Sequence, residues 1–518
     1  MKKILQAIVV PSILFACASC NDFLDTMPDN RTELNTPEKI SKVLVDAYPT
    51  ANWNMLAEFS SDNTDDNGSR NMELDRLSEE VYHWKDTKES GNDSPGAYWE
   101  ACYKAVAVSN HALEAIEKLG DTEDLKAQKG EALLCRAYGH FMLSYIFCNA
   151  WTASNQNTAL GIPYSTKPET TVNPSYERGT IGQTYEKIAK DIEEGLALVD
   201  DNNYSVPKYH FNRKAAYAFA ARFYLYYGKY ERAIECANVV LGDNASLVLR
   251  DWEALGKLSL NEDHQPNAYI SSTEQANLLL VTSRSFWGLY NGPLTTSNRY
   301  CHNPTIAETE TCSSTGVWGD CTSTLKQQPA DYTSIPKVVF RKFPLYYMEY
   351  TDPVLGNGYY NIISSAFNTD ETLLVRAEAY ALTKQYSKAI ADMQSWLNAY
   401  TTSKVQLTEE NINQFYGNIA YYTPTEPTVK KELHPDFALE AGTQENLIQF
   451  ILHARRITTL HEGLRWGDIK RYGITIYRRI IEDKEITVTD ELKADDPRRA
   501  IQLPADVILA GLEANPRS

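Results

Sequence analysis

The stretch ARFYLYYGKYERAIECA, residues 221–237, decides the fold, because a distant stretch of the chain repeats its spacing. Its small and tyrosine residues fall at positions 221, 224, 228, 230, 233 and 237. The stretch AEAYALTKQYSKAIADM, residues 377–393, has the same intervals at positions 377, 380, 384, 386, 389 and 393. This matched spacing predicts the same pair of helices in two places.

Both stretches follow the tetratricopeptide pattern, in which small residues let two helices cross closely and tyrosine fills the seam. Glycine stands at the turn in the first copy only, as Gly228, and Lys384 takes its place in the second. A shared Leu-Leu-x-Arg-Ala motif, at 133–137 and 373–377, opens two of the predicted helices. Apolar periodicity predicts helices over Tyr98–Leu119 and near 124–148, 180–199, 212–227, 230–241, 370–384, 386–400, 444–461 and 464–472.

Two long segments interrupt this helical pattern. Residues 242–369 and 401–443 are rich in Ser, Thr, Asn, Gly and Pro, and neither shows a sustained period. We expect long loops there, with short strands or helices. The repeats are therefore too far apart for a simple solenoid. Excursions from a rigid scaffold commonly carry binding residues, so these segments are the expected functional part.

Composition and charge exclude some classes of protein. The chain has 518 residues, of which 43% are hydrophobic and 23% charged, which is ordinary globular composition. The net charge of −18 gives no basic footprint for nucleic acid. The chain also contains 33 tyrosines against 15 phenylalanines, and tyrosine suits wet binding surfaces as well as cores.

The N-terminal residues 1–20 have the pattern of an export signal. Lys2 and Lys3 precede a mostly apolar stretch, residues 4–18, that is too short to span a bilayer. Small residues before a cysteine suggest a bacterial lipoprotein signal, with Cys17 and Cys20 as candidates for acylation. We expect a signal peptide over residues 1–19 and a single mature domain over 20–518.

The remaining cysteines and the acidic stretch 62–68 give no metal site. Cys301, Cys312 and Cys321 lie in a polar stretch without a CxxC motif, where one disulfide is an open alternative. Residues 63–68 fit the start of an EF-hand loop, but position 12 of that loop would be Leu74 instead of glutamate. We predict neither a metal nor a cofactor.

Four stretches of the sequence carry motifs. They are Cys20-Asn21-Asp22-Phe23-Leu24-Asp25, the helix Tyr98-Trp99-Glu100-Ala101-Cys102-Tyr103 to Asn110, the block from Ala454-Arg455-Arg456 to His461-Glu462-Gly463-Leu464-Arg465-Trp466-Gly467-Asp468-Ile469-Lys470-Arg471-Tyr472-Gly473, and the closing Ile501-Gln502-Leu503-Pro504 to Asn515-Pro516. Together these stretches resemble the SusD/RagB family of nutrient-capturing surface lipoproteins of Bacteroidetes. The first stretch favours Cys20 over Cys17 as the lipidated residue. The segment after Phe147 departs from the family, because Gly161-Ile162-Pro163 comes later than usual.

The resemblance implies a fold and a role. The fold would be mainly α, with about four tetratricopeptide-like helix pairs supporting an irregular, loop-rich ligand-binding half. The protein would be anchored by lipid in the outer membrane and face outward. It would capture an oligosaccharide or polysaccharide and deliver it to a TonB-dependent, SusC-like transporter. RagB-like members capture peptides, and this remains an alternative.

Candidate ligand-binding residues follow from the chemistry of sugars. A pyranose ring shows an apolar C–H face and a rim of hydroxyls, so its receptor needs flat aromatic surface and a few polar groups. Aromatic residues outside the predicted scaffold helices are the expected platforms, and Asp or Asn side chains in the early polar stretch would bind hydroxyls. The predicted ligand-binding residues are Asp62, Asn63, Asp65, Trp84, Arg284, Trp287, Tyr290 and Trp318.

The sequence shows no sign of catalysis. It has no His-Glu-x-x-His, Gly-x-Ser-x-Gly, P-loop or Gly-x-Gly-x-x-Gly motif. A glycoside hydrolase with paired carboxylates remains open on motifs alone, because its acids come from distant positions. We therefore predict a binding protein, and we predict that the Arg455-to-Arg471 block is a buried ion-pair network instead of a ligand site.

Overall fold

The structure of the chain is a computed structural model that describes residues 34–73, 75–169, 176–260, 262–292, 298–332, 335–483 and 485–517. The predicted signal peptide, residues 1–19, and both candidate lipidation sites, Cys17 and Cys20, lie outside the described residues. No helix within the described ranges combines the length and apolar character that a membrane crossing requires.

The bounds of the elements are as follows. The helices are α1 (Pro37–Leu44), α2 (Asn54–Ser60), α3 (Arg76–Tyr82), α4 (Pro95–Lys118), α5 (Lys126–Phe147), α6 (Ile181–Leu196), α7 (Arg213–Tyr226), α8 (Tyr230–Leu241), α9 (Trp252–Gly256), α10 (His264–Tyr269), α11 (Trp287–Tyr290), α12 (Pro304–Glu310), α13 (Cys321–Thr324), α14 (Thr369–Leu382), α15 (Tyr386–Tyr400), α16 (Glu409–Asn418), α17 (Thr443–Thr458), α18 (Arg465–Tyr472) and α19 (Ala505–Leu509). The strands are β1 (Asp65–Asp66), β2 (Asn277–Arg284), β3 (Tyr300–Cys301), β4 (Thr315–Gly316), β5 (Gly319–Asp320), β6 (Ala330–Tyr332), β7 (Lys337–Val339), β8 (Tyr347–Asp352), β9 (Asn357–Asn368), β10 (Ile476–Glu482) and β11 (Glu485–Leu492).

The fold is mainly α, as predicted, and consecutive helices pack in pairs. The pairs α4–α5, α7–α8, α14–α15 and α16–α17 are in contact, and α6 packs on α5. Each helix predicted from periodicity is present, with ends that differ by a few residues. Polar side chains begin them: Ser94, Asn212 and Asn368 each accept a hydrogen bond from a backbone N–H in the first turn of α4, α7 and α14.

The two repeated stretches form α7–α8 and α14–α15, and α8 packs against α14. The small residues of the pattern are buried, including Ala221 and Ala233 in the first copy. Gly228 has a φ of +67°, and Lys384 adopts nearly the same left-handed conformation, with a φ of +60°. The repeat therefore keeps the shape of its turn without glycine, at the cost of backbone strain in Lys384.

The segment 242–369 is more ordered than its composition indicates. Its longest element is the 12-residue strand β9, which pairs antiparallel with both β2 and β8 in the order β2-β9-β8. The prediction of only short elements was wrong here, because β9 alternates too weakly between apolar and polar residues to be seen as a strand. A second sheet has the order β11-β10-β1-β3 and joins the C-terminal hairpin to the early chain.

The described cysteines are free thiols. Cys102, Cys135, Cys148 and Cys236 are buried in the helical scaffold. Cys301, Cys312 and Cys321 are also buried and unpaired, so the disulfide left open for them is not formed.

Candidate ligand-binding surface

The predicted acidic residues lie in a buried ion-pair cluster. Arg465 donates two hydrogen bonds to the Asp62 carboxylate, both at 2.8 Å. Arg479 binds Asp65 in the same bidentate way, at 3.0 and 2.7 Å. Asn63 accepts a hydrogen bond from Arg456 at 2.8 Å. These three side chains therefore join the N-terminal stretch to the last helices and strands.

Glu310 lies at the centre of this cluster. Its carboxylate accepts hydrogen bonds from Lys431 at 2.6 Å, from Arg456 at 2.8 Å and from Arg479 at 3.2 Å. Burial opposes ionisation of Glu310, but these three positive charges outweigh it and lower its pKa to about 2. We call Asp62, Asn63, Asp65, Glu310, Lys431, Arg456, Arg465 and Arg479 the buried charge cluster.

The Arg455-to-Arg471 block, which we call the Arg-Trp block, also contributes to a second ion-pair group. Arg455 and Arg471 both bind Glu378, at 2.6 Å each, and both also contact Asp468. The block is therefore a buried ionic network, as predicted. In both groups every carboxylate is matched by guanidinium or ammonium donors. The side chains of Asp62, Asn63 and Asp65 are therefore engaged with partners inside the protein.

The three predicted tryptophan platforms are buried in the core, which corrects the expectation that loop aromatics are exposed. Trp84 is 6% exposed and stacks on Arg478, whose guanidinium lies 3.9 Å from the ring centroid. Trp287 is 5% exposed and donates to the backbone oxygen of His461 at 2.9 Å. Trp318 is 1% exposed and packs against other rings, those of Trp396, Phe450 and His453. None of them offers a ring face to solvent.

The remaining two predicted residues differ from each other. Tyr290 is half-buried, packs edge-on against Phe59 and donates its hydroxyl to Asp75. Arg284, at the end of β2, is exposed, and its guanidinium lies 3.7 Å from the centroid of the Tyr359 ring. Arg284 is thus the one predicted residue that the structure places on an exposed aromatic surface.

That surface is the β8–β9 hairpin, residues 346–360, which we call the aromatic hairpin. Tyr350 is 57% exposed, Tyr347 is 41% exposed and Tyr359 is 38% exposed. Tyr346 is exposed as well and packs edge-on against the half-buried Tyr360. The turn at the tip uses Gly356, with a φ of +70°, which a residue with a side chain rarely adopts.

Strand register divides these rings between the two sides of the hairpin. Tyr347 pairs with Asn361, and Glu349 pairs with Tyr359. Because side chains alternate along a strand and directly paired residues point to the same side, these four residues share one side of the hairpin. Arg284 pairs with Asn361 in the β2–β9 ladder, so it lies on that side as well. We call Arg284, Tyr347, Glu349, Tyr359 and Asn361 the tyrosine face.

The other side of the hairpin is less polar. Tyr350 pairs with Gly358, and Met348 pairs with Tyr360. Tyr360 also packs against Phe286, with ring centroids 5.3 Å apart. This side therefore displays aromatic rings without the cluster of polar groups found on the tyrosine face.

The tyrosine face combines rings with hydrogen-bonding groups. Asn361 donates to the Glu349 carboxylate at 3.1 Å, and the Tyr347 hydroxyl donates to Asn267 at 2.8 Å. Arg284 adds further donors beside Tyr359. Aromatic surface next to both donors and acceptors is the arrangement that binds the apolar face and the hydroxyls of a sugar ring.

Sequence reasoning missed the tyrosines of this face. The signal was present, since positions 346, 347, 350, 359 and 360 are all tyrosine. It was not recognised because the segment lacks a clear two-residue period, so the hairpin that exposes these rings was not predicted.

The comparisons with known proteins agree with the resemblance seen in the sequence. Residues 22–225 match the SusD-like_3 family model, described as starch-binding associating with outer membrane. No curated protein matches the chain. A SusD superfamily protein from Bacteroides thetaiotaomicron has 18% identity and a TM-score of 0.64, with 93% of this chain and 100% of that chain covered.

Two structures from Bacteroides vulgatus are also similar. A putative sugar binding protein has 18% identity and a TM-score of 0.61, covering 94% of this chain and 99% of that one. A SusD-like carbohydrate binding protein has 16% identity and a TM-score of 0.59, covering 92% and 96%. The described chain therefore has the SusD fold, and its N-terminal part matches a SusD-like family.

Proposed function

Because the chain combines a SusD-like N-terminal part with the SusD fold, we propose that it is a glycan-binding protein of the outer membrane that binds sugar on its tyrosine face. The observation that carries this proposal is the pair of exposed rings, Tyr347 and Tyr359, flanked by the exposed polar groups of Arg284 and Glu349. The buried Asn361 holds Glu349 in place through its hydrogen bond.

Two further findings support glycan as the ligand. The matching family model is described as starch-binding, and two structurally similar proteins are named as sugar or carbohydrate binding. A neutral ligand is also favoured over an anionic one, because the chain has a net charge of −18 and would repel an anion. The same comparisons name binding proteins, which favours capture over hydrolysis.

Delivery and anchoring are part of the same proposal. The signal-like N-terminus supports lipidation at Cys20 and an outward-facing position on the outer membrane. We expect delivery of the captured glycan to a TonB-dependent transporter. Cys20→Ala should then release the protein from the membrane fraction. If only Cys17→Ala releases it, Cys17 is the lipidated residue and the signal peptide is cleaved three residues earlier. Affinity purification of the intact lipoprotein should recover a barrel transporter.

A peptide ligand is the second candidate, and one observation favours it. Strand β8 lies at the edge of the described sheet β2-β9-β8, and a peptide can add a strand to such an edge. Strand addition uses the backbone of β8, so peptide binding should survive replacement of Tyr359 by alanine. Glycan binding by stacking on the Tyr359 ring should be weakened by the same replacement.

The experiment that tests the proposal is a glycan-array screen of residues 21–518, followed by calorimetry on the best ligand. Tyr359→Ala and Tyr347→Ala should weaken binding, because each removes one ring of the tyrosine face. Tyr350→Ala is the matched control, since it removes an exposed ring of the same hairpin from the opposite side. Loss of binding in Tyr350→Ala with normal binding in Tyr359→Ala would move the site to that side.

A further inference from the structure

A large groove lies far from the tyrosine face in sequence. Its volume is about 1220 Å³. Helix α4 contributes a row of lining residues, which we call the floor, and residues 163–169 and the C-terminal segment 502–512 contribute what we call the walls. Residues 87–90 and Tyr176 complete the lining. None of the eight ligand-binding residues predicted from sequence lines it, and it shares no residue with the tyrosine face.

The floor of the groove is one side of α4. The lining residues of this helix include positions 96, 99, 100, 103, 104, 107 and 111, which follow helical spacing. At 1.5 Å per residue this row extends for roughly 22 Å, the length of several sugar rings. Small residues keep the floor open, because Gly96 and the exposed Ala107 carry little side chain.

Aromatic side chains lie in this floor. Trp99 is half-buried, and its ring centroid is 4.8 Å from that of Tyr103 and 5.2 Å from that of Phe147. The Tyr103 hydroxyl donates to the backbone oxygen of Pro163 at 2.7 Å, which ties the floor to one wall. The rings are therefore held rigidly while part of Trp99 remains accessible.

The rim of the groove is polar and carries both signs of charge. Lys88, Glu89, Glu100, Lys104 and Lys167 line it, and none of them forms an ion pair with another described residue. Elsewhere on the surface such side chains pair, as Lys118 does with Glu114 on the same helix. Both donors and acceptors therefore remain available along the groove.

We propose that this groove is a second binding site for a glycan chain, an inference that rests on the proposed function as a glycan-binding protein. Aromatic floor, unpaired donors and unpaired acceptors together match the apolar faces and hydroxyls of consecutive sugar rings. A helical floor offers no strand edge to a peptide backbone. The groove also has no excess of positive charge for a polyanion, because four acidic residues line it, Glu89, Glu100, Glu169 and Asp506, against three lysines. A long glycan would thus bind at two separate places on one molecule.

The test uses the mature chain and the two sites in parallel. Ala107→Trp should fill the groove without removing any contact, because Ala107 is exposed on α4. Ala391→Trp, at an exposed alanine of α15, is the matched control. The probes are a short and a long oligosaccharide of each linkage found on the array, measured by calorimetry with wild type, both variants and Tyr359→Ala.

We expect two binding events for long oligosaccharides in the wild type, with one of them lost in Ala107→Trp and retained in Ala391→Trp. Trp99→Ala should weaken the same event about tenfold, as a second variant that empties the groove instead of filling it. Lys104→Ala removes a rim donor from an exposed position and should weaken it less.

Three results would overturn the inference. Unchanged binding in Ala107→Trp and Trp99→Ala, with loss in Tyr359→Ala, would reject the groove and leave the proposed function intact. A neutral peptide of comparable length is the further probe. If it binds wild type but not Ala107→Trp, while no oligosaccharide shows that difference, the ligand class is rejected. If no oligosaccharide on the array binds wild type at millimolar concentration, the groove site and the proposed function fall together.

Discussion

The buried tryptophans and the exposed tyrosines of this protein lie in sequence of similar character but have opposite roles. Trp318 comes from a stretch rich in Gly, Ser and Thr and is 1% exposed, while Tyr350 comes from a stretch of similar polarity and is 57% exposed. The difference shows that a polar, loop-like neighbourhood does not place an aromatic ring at the surface. Its packing partners, which come from distant parts of the chain, decide that.

Charged residues also differ between the buried and the exposed region. In the buried charge cluster, ionised groups are satisfied by one another and hold the N-terminal and C-terminal parts of the chain together. On the tyrosine face, Arg284 and Glu349 remain exposed to solvent. Changes in the first region should therefore alter stability, and changes in the second should alter binding.

The largest effect is expected from Glu310→Gln. This change leaves Lys431, Arg456 and Arg479 around a neutral side chain, and breaking a buried ion pair costs about 3–5 kcal/mol. Chemical denaturation measures the loss. Arg70→Ala, which removes an exposed pair with Asp483, is the control and should leave the denaturation midpoint unchanged. Equal stability of Glu310→Gln and wild type would contradict the account of this cluster.

Trp318→Ala should cost about 3–5 kcal/mol, because it empties a fully buried site among Trp396, Phe450 and His453. Glycan affinity of the folded fraction should stay at the wild-type value. Thermal unfolding and calorimetry on the same preparation check both statements. A stable variant with weakened glycan binding would restore Trp318 as a sugar platform and break the comparison.

Acid should destabilise the protein in a defined window. Folded Glu310 has a pKa of about 2 against a usual 4.5, so its contribution is present above pH 4.5 and is lost as the pH falls towards 2. This contribution is on the order of 3 kcal/mol. Burial also lowers the pKa of His140 and His453 to about 3 and of His302 to about 4. Because the unfolded chain protonates these histidines at their ordinary pKa of 6.5, the free energy of unfolding begins to fall below pH 6.5.

Denaturation at a series of pH values measures this dependence. Glu310→Gln should show a weaker fall in stability below pH 4.5 than wild type, because it no longer has the carboxyl that titrates. Parallel curves for the two proteins would contradict the assignment of the acid-sensitive charge to Glu310.

The smallest effect is expected on the tyrosine face. Tyr359→Ala should weaken glycan binding about tenfold, or roughly 1.4 kcal/mol, while stability stays within about 0.5 kcal/mol of wild type. Tyr350→Ala should leave affinity unchanged. A large loss of stability in Tyr359→Ala would show that this ring supports the hairpin, and would weaken the contrast between the two regions.

Part of this structure could be predicted from the sequence alone. The scaffold helices, their approximate ends and the repeated pair could be predicted, because helix formation depends on apolar residues three and four positions apart. The buried role of the Arg-Trp block also followed from its composition. Of the candidate site, Arg284 was identified, whereas the exposed tyrosines beside it were not.

The sequence by itself determined the helical scaffold and the shape of its repeated turn, since these depend on neighbours close along the chain. Tertiary structure alone decided which polar and aromatic groups remain free. Asp62 meets Arg465 across 403 positions, and the Trp287 ring donates to His461 across 174. Such contacts withdraw a side chain from solvent through partners that no local pattern contains. The groove on α4 depends in the same way on the C-terminal segment that returns to form its wall.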